Sequence, residues 1–186
     1  MLFWNLYYNE YAQEGIISSI IIDGYNVIGI SHKDLKKQRD EFINSLITYR
    51  KRKGHEITVV FDGWKTGEAQ ESRSKIGGVT VIYSRIGEKA DAVIKRIISS
   101  QQDYWIVVTS DKDIAHHAWA SGSVPVSGED FMRRFEKQVL SNFVIEDYED
   151  WDYQEPRKKG SPRKLSRKEK AIRRVLNKLW WESSYG

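Results

Sequence analysis

Acidic residues at four positions, Asp23, Asp62, Asp91 and the Asp111/Asp113 pair, are spread over the first two-thirds of this 186-residue chain. Three of those positions directly follow apolar, β-forming runs: residues 16–22 before Asp23, Ile57-Thr58-Val59-Val60-Phe61 before Asp62, and residues 105–110 before Asp111. Such runs, short, β-branched and without polar alternation, read as buried parallel strands. In an open parallel α/β sheet, ligands bind in the crevice beyond the carboxyl ends of the strands, so acids at three strand ends converge on one place. Converging carboxylates repel one another unless a cation sits among them. An oxygen-only set with no Cys or His nearby suits Mg²⁺ or Mn²⁺ better than Zn²⁺, and such ions activate water and stabilise negative charge on oxygen.

The segment Asp23-Gly24-Tyr25-Asn26-Val27-Ile28 is the most informative. It places a carboxylate at a strand end, a glycine for a tight turn and a carboxamide at the start of the next helix. Taken alone it is equally an Asx-turn leaving a strand; the other acids tip the balance. Glu88 and Asp91, three apart, are expected on one face of a helix over 88–100, with Ile94, Ile97 and Ile98 turned inward.

The elements that must position these residues follow from periodicity. Residues 34–53 predict an amphipathic helix closed by Gly54. Gly63–Gly78 is polar and glycine-containing and reads as a surface loop beside the strand ends, followed by a strand over Val79–Tyr83. A helix over 113–120, a short strand over 124–126 and a helix over 127–139 complete the alternation. The expected fold is α/β, a three-layer α/β/α sandwich around a twisted, mainly parallel sheet, with a basic helical extension at the carboxyl terminus. The expected divisions are an aromatic extension (1–15), the α/β domain (16–142), a linker (143–165) and a basic amphipathic helix (166–182).

The formal charge of +4 conceals an asymmetry: residues 1–156 carry 19 Lys/Arg against 24 Asp/Glu, and residues 157–186 carry 11 against 2. The tail is therefore the electrostatic handle for a polyanion. In it, Ser166-Arg167-Lys168-Glu169 forms a capping box, and Ile172, Val175, Leu176 and Leu179 follow at helical spacing. Lys158, Lys159, Arg163, Lys164, Arg167, Lys170, Arg173, Arg174 and Lys178 are the cations expected to contact nucleic-acid phosphates. If the helix docks on the core, its basic face is expected to extend the acidic groove. Removing residues 157–186 is expected to weaken that binding and leave the core folded. The chain has no cysteine, no apolar stretch of membrane-spanning length and no secretory-type start, which suits a cytoplasmic protein without a membrane partner.

The successive motifs Asp23-Gly24-Tyr25-Asn26-Val27-Ile28, Val60-Phe61-Asp62-Gly63, Glu88-Lys89-Ala90-Asp91 and Val108-Thr109-Ser110-Asp111 resemble those of the NYN domain, YacP-like branch, of the PIN-like ribonuclease superfamily. The resemblance covers about residues 16–140 and implies a metal-dependent endoribonuclease with an acidic pocket for Mg²⁺ or Mn²⁺. It casts Asp23, Asp91 and Asp111 as catalytic metal ligands and Asn26 as a ligand-orienting or substrate-contacting amide. Asp62, Glu88, Ser110 and Asp113 are further candidates for the site, with Thr109 on its rim. RNA, messenger RNA included, is the implied substrate, and the ribosome is a further candidate partner. Lys89 departs from the family pattern, where a smaller or neutral residue is usual; it is expected to face phosphate or solvent.

Two other readings compete. A noncatalytic RNA- or ribosome-binding module would keep the fold and at most a structural ion, although concentrating acids near RNA would gain it nothing. A phosphatase is disfavoured because Asp23-Gly24-Tyr25 lacks the second Asp of an aspartyl-phosphate mechanism. No GxxxxGK[ST] loop occurs, so no nucleotide cofactor is expected. His116 and His117 are adjacent within a helix and face different sides, and His32 and His55 merely flank one.

Overall fold

The computed structural model describes residues 18–29, 34–63, 69–100, 104–140 and 165–180, with side chains to 136 in the fourth span. The aromatic extension, nearly all of the linker, His32, Lys158, Lys159, Arg163 and Lys164 lie outside the described residues.

The elements, in chain order, are β1 (Ser19–Asp23), α1 (Gly24–Ile28), α2 (Leu35–Lys53), β2 (Glu56–Phe61), β3 (Ser72–Ile76), β4 (Val79–Tyr83), α3 (Ala90–Ser100), β5 (Trp105–Val108), α4 (Lys112–Ala120), β6 (Val124–Val126), α5 (Gly128–Leu140) and α6 (Arg167–Trp180). The sheet order is β3-β4-β2-β1-β5-β6, parallel throughout except for the edge strand β3.

The apolar strands feed both faces by simple alternation. Ile20 and Ile22 of β1, with Val59 and Phe61 of β2, join Phe42, Ile43, Leu46 and Tyr49 of α2 and Phe131 and Phe135 of α5 in one core layer. Ile21 and Val60 point the other way, to Val93, Ile94 and Ile98 of α3 and Ile114 and Ala118 of α4. The three-layer sandwich expected from the sequence is thus present. Gly24 is fixed by packing: a Cβ there would lie 2.3–2.9 Å from the Phe61 ring. Gly24→Ala is expected to cost about 1–3 kcal/mol through overpacking, seen as a lower denaturation midpoint.

The stretch expected to be a loop over Gly63–Gly78 is in part a strand. Ser72–Ile76 pairs antiparallel with β4, and the chain reverses through Gly77 and Gly78, both at positive φ (55° and 90°). Consecutive positive φ angles are what a tight two-residue hairpin demands.

α6 docks on the α2/α5 side. Val175, Leu176 and Leu179 are buried in that core, and Tyr49 Oη donates to the Leu179 carbonyl at 2.9 Å. The position is at the amino-terminal edge of the sheet: the Tyr49 ring also lies against His55, which precedes β2 and whose Nδ1 accepts from the backbone N–H of Ser18, just before β1. Lys168, near the other end of α6, sits over Trp119 in the last turn of α4. A docked α6 was expected to lengthen the acidic groove. Instead it lies on the opposite edge, where its Trp180 packs on the rings of Tyr49 and Phe131.

Candidate active site

β1 and β5 are neighbours whose onward connections diverge, β1 towards β2 on one side and β5 towards β6 on the other. The crevice between their carboxyl ends is a topological switch point, the place where an open α/β sheet offers a ligand site. β1 ends there on Asp23, and β5 is followed there by Thr109, Ser110 and Asp111.

A single buried hydroxyl joins the two chain segments. Thr109 Oγ1 donates to Asp23 Oδ2 at 3.2 Å and accepts from the Asp111 backbone N–H at 3.1 Å. Beside it, the Ser110 backbone N–H donates to Asn26 Oδ1 at 2.7 Å, and Ser110 Oγ accepts from the Gly128 N–H at 3.2 Å. The Asn26 carboxamide therefore braces the end of β5 from the first turn of α1. Asp111 caps α4, its Oδ1 accepting from the Asp113 and Ile114 N–H groups at 2.7 and 3.2 Å. Asp62, at the end of β2, accepts from the Ala90 N–H at 2.7 Å through Oδ1 and so anchors the start of α3. The bonds to Asp62 and Asp111 named here each reach Oδ1.

Burial pushes the Asp23 carboxyl up to about 6; bonds from Thr109 and the Asn26 backbone oppose the rise, while the charges of Asp62 and Asp111 add to it. Asp23, Asp62 and Asp111 therefore share one electrostatic environment, in which ionising Asp23 is costly until a positive charge arrives.

The remaining acids divide between other cations. Asp91 lies on α3, the helix that Asp62 anchors, and its Oδ2 is 3.6 Å from Lys95 Nζ, which also bonds Asp113. Lys95 thereby holds the Asp113 carboxyl below its ordinary range. The shared Glu88/Asp91 face does not form, because α3 begins only at Ala90 and Glu88 stays in the turn before it. Glu88 instead pairs with Arg85 at 3.3 Å and Arg96 at 2.6 Å. Lys89 is exposed, His116 is exposed, and His117 Nε2 is 2.7 Å from Ser99 Oγ.

Besides Arg85 and Arg96, two cations escaped the sequence reading. Lys95 follows Asp91 by four residues, an ordinary helical ion-pair spacing that could have revealed it. Arg39 lies over the Tyr83 ring, 5.2 Å from its centroid; Tyr83 stacks on Phe61, and Phe61 meets Tyr25 edge-on at 5.0 Å. A guanidinium and an aromatic row thus flank the segment that carries Asp23. The clue was a charge at an apolar-stripe position of α2, in step with Leu35, Phe42, Ile43 and Leu46.

Among the described residues, no three His, Cys, Asp or Glu side chains form a ready metal cage. The donor chemistry nevertheless fits Mg²⁺ or Mn²⁺, since the crevice presents carboxylate oxygens and a costly Asp23 anion. Mg²⁺ in particular is commonly held by one or two carboxylates with waters and substrate phosphate completing its shell.

The model of the YacP-like NYN domain matches residues 20–178. The chain belongs to the YacP-like NYN domain family. The family has a nuclease-type fold within the PIN-like superfamily, and its match takes in α6 as well as the α/β layers. Among solved structures, the crystal structure of Rae1 (YacP) from Bacillus subtilis is similar at 23% identity and a TM-score of 0.54, covering 68% of this chain and 78% of that one. A single-substitution mutant of the same Bacillus subtilis protein gives 22% identity, a TM-score of 0.56 and coverages of 68% and 79%. These likenesses show a shared fold. A search of curated proteins found no match.

Proposed function

We propose that this protein is a metal-dependent endoribonuclease that cleaves RNA phosphodiester bonds at the β1/β5 crevice, with messenger RNA presented on the ribosome as the substrate. The observation that carries this reading is Asp23, set at the switch point and held in a carboxyl environment that disfavours its own charge. Asp23, Asp91 and Asp111 are the residues that would hold Mg²⁺ or Mn²⁺. When bound, such an ion lowers the pKa of water and stabilises charge on the departing oxygen. Thr109 fixes the Asp23 carboxylate, Asn26 fixes the end of β5, and the Asp62–Ala90 bond sets the height of α3.

Purified protein incubated with translated and structured RNAs should cut them with Mg²⁺ or Mn²⁺, and chelation should abolish cutting. Asp111→Asn keeps a capping oxygen for α4, so it should preserve the fold while lowering cleavage by at least about a hundredfold. Undiminished cleavage in chelator, or in this variant, would refute the metal reading. The engagement of Asp62 and Asp111 as helix caps, and of Asp91 and Asp113 by Lys95, favours a second reading, a noncatalytic RNA- or ribosome-binding module. RNA binding without any cut ends under all metal conditions would select it.

The described helices include none long and apolar enough to cross a membrane.

A further inference from the structure

α2 and α6 both end at the amino-terminal edge of the sheet, and both end in cations. Arg50, Lys51, Arg52 and Lys53 fill the last turn of α2, and Lys178 lies in the last turn of α6. The two ends touch: Lys53 Nζ donates to the Trp180 carbonyl at 3.5 Å. Lys178 and Lys53 also both act on His55, which burial and these two charges push down to about 4. Along α6 the buried stripe of Val175, Leu176 and Leu179 leaves Arg167, Lys170, Arg173 and Arg174 exposed on the outer side. Cations at a helix carboxyl end complement its dipole. That accounts for each end separately; the contact between them brings Arg50, Lys51, Arg52, Lys53 and Lys178 to one place on the fold.

We infer that the last turn of α2 and the outer face of α6 form one RNA-backbone docking surface at the amino edge of the sheet, separate from the acidic crevice at the carboxyl edge. It rests on the reading of RNA as the partner and extends it by adding α2 and by placing affinity and chemistry on opposite edges. β1 has five residues, so its ends are about 13 Å apart at about 3.3 Å per residue. An RNA held on the basic surface therefore reaches the crevice only by passing around the domain. Charge complementarity selects the occupant: a polyphosphate chain matches this concentration of exposed cations and releases its own counterions on binding.

The test uses full-length protein carrying Asp23→Asn, so that binding is measured whether or not the wild type cuts RNA. Lys51→Ala, Arg52→Ala and Arg174→Ala together should weaken binding of a labelled single-stranded oligoribonucleotide by at least tenfold at low salt. They should also flatten the slope of log affinity against log salt by about 2, at about 0.7 per phosphate contact. A control removing Arg73, Arg85 and Arg133 takes away the same charge elsewhere and should change the affinity less than threefold. Exchanging the three patch residues for the other cation, Lys51→Arg, Arg52→Lys and Arg174→Lys, should restore binding. Equal losses in the patch and control variants would reduce the effect to net charge and overturn the proposal, as would an unchanged salt slope. Binding to anionic lipid vesicles but not to RNA would overturn it too. Loss of cleavage in the wild type with RNA binding intact would count against the proposed activity alone.

Discussion

Asp23→Asn should yield a protein that is more stable than the wild type at neutral pH and inactive on RNA. The Asp23 carboxyl is raised from 3.8 to about 6 in the fold, so the folded state holds that proton more tightly than the unfolded chain does. Its contribution favours folding at low pH and is lost as pH rises through about 6. At pH 7 the wild type bears the whole cost, about 3 kcal/mol at about 1.4 kcal/mol per pH unit. An amide avoids that cost and keeps an oxygen for the Thr109 hydroxyl, so a net gain of about 1–2 kcal/mol is expected once imperfect hydrogen bonding is allowed for. His55 has the opposite sign. Its depressed value, about 4, leaves stability intact above its ordinary 6.5 and removes it as pH falls towards 4, by a similar amount. Between pH 6 and 4 the two nearly cancel in the wild type. Denaturant titrations should therefore show stability nearly flat in that window for the wild type and falling steeply with acid for Asp23→Asn. A variant no more stable than the wild type at pH 7 would show that Asp23 ionises without penalty.

Leu179→Ala should be the most damaging single change in the basic helix. Leu179 is fully buried, its carbonyl accepts from Tyr49 Oη, and it shares the core with Phe131 and Val175. Truncating a buried leucine costs about 2–5 kcal/mol, a large part of the total stability of a domain this size. Deleting the helix outright exposes the core surface that Val175, Leu176 and Leu179 cover. The expectation that the chain without residues 157–186 stays folded thus gives way to partial unfolding, which raised dye binding to exposed apolar surface and an earlier thermal transition would report. An unaltered melting temperature in Leu179→Ala would show that α6 contributes little to the core.

The buried strands and the amphipathic helices were legible because burial on both faces writes itself as unbroken β-branched runs, and burial on one face as a 3.6-residue period. β3 was not: Ser72-Arg73-Ser74-Lys75-Ile76 is an exposed edge strand with no apolar row to betray it, and its only signal was the Gly77-Gly78 turn. At the crevice, the joining of Asp23 to Asp111 followed from strand ends and sheet topology. What local spacing could not reveal was how each carboxylate is employed. Asp62 stands in sequence only as a further candidate for the site, and its Oδ1 accepts from a helix start 28 residues away. Glu88 misled for a local reason, since the helix begins two residues later than its periodicity suggests. Arg39 was hidden by the habit of reading only apolar residues on an apolar face.

The two core layers differ in when a growing chain can finish them. Among the described residues, the layer under α3 and α4 draws on those between Ile21 and Ala118, so its described part can close while the remainder of the protein is still being made. The layer under α2 and α5 also needs Val175, Leu176 and Leu179, and the Tyr49 to Leu179 bond spans 130 residues. Its last contacts close a very long loop and must form late. A newly synthesised molecule would thus pass through a one-sided intermediate with its acidic edge already assembled on β1 and β5, its aromatic side still bare, and its final helix acting as the stopper that ends exposure to aggregation.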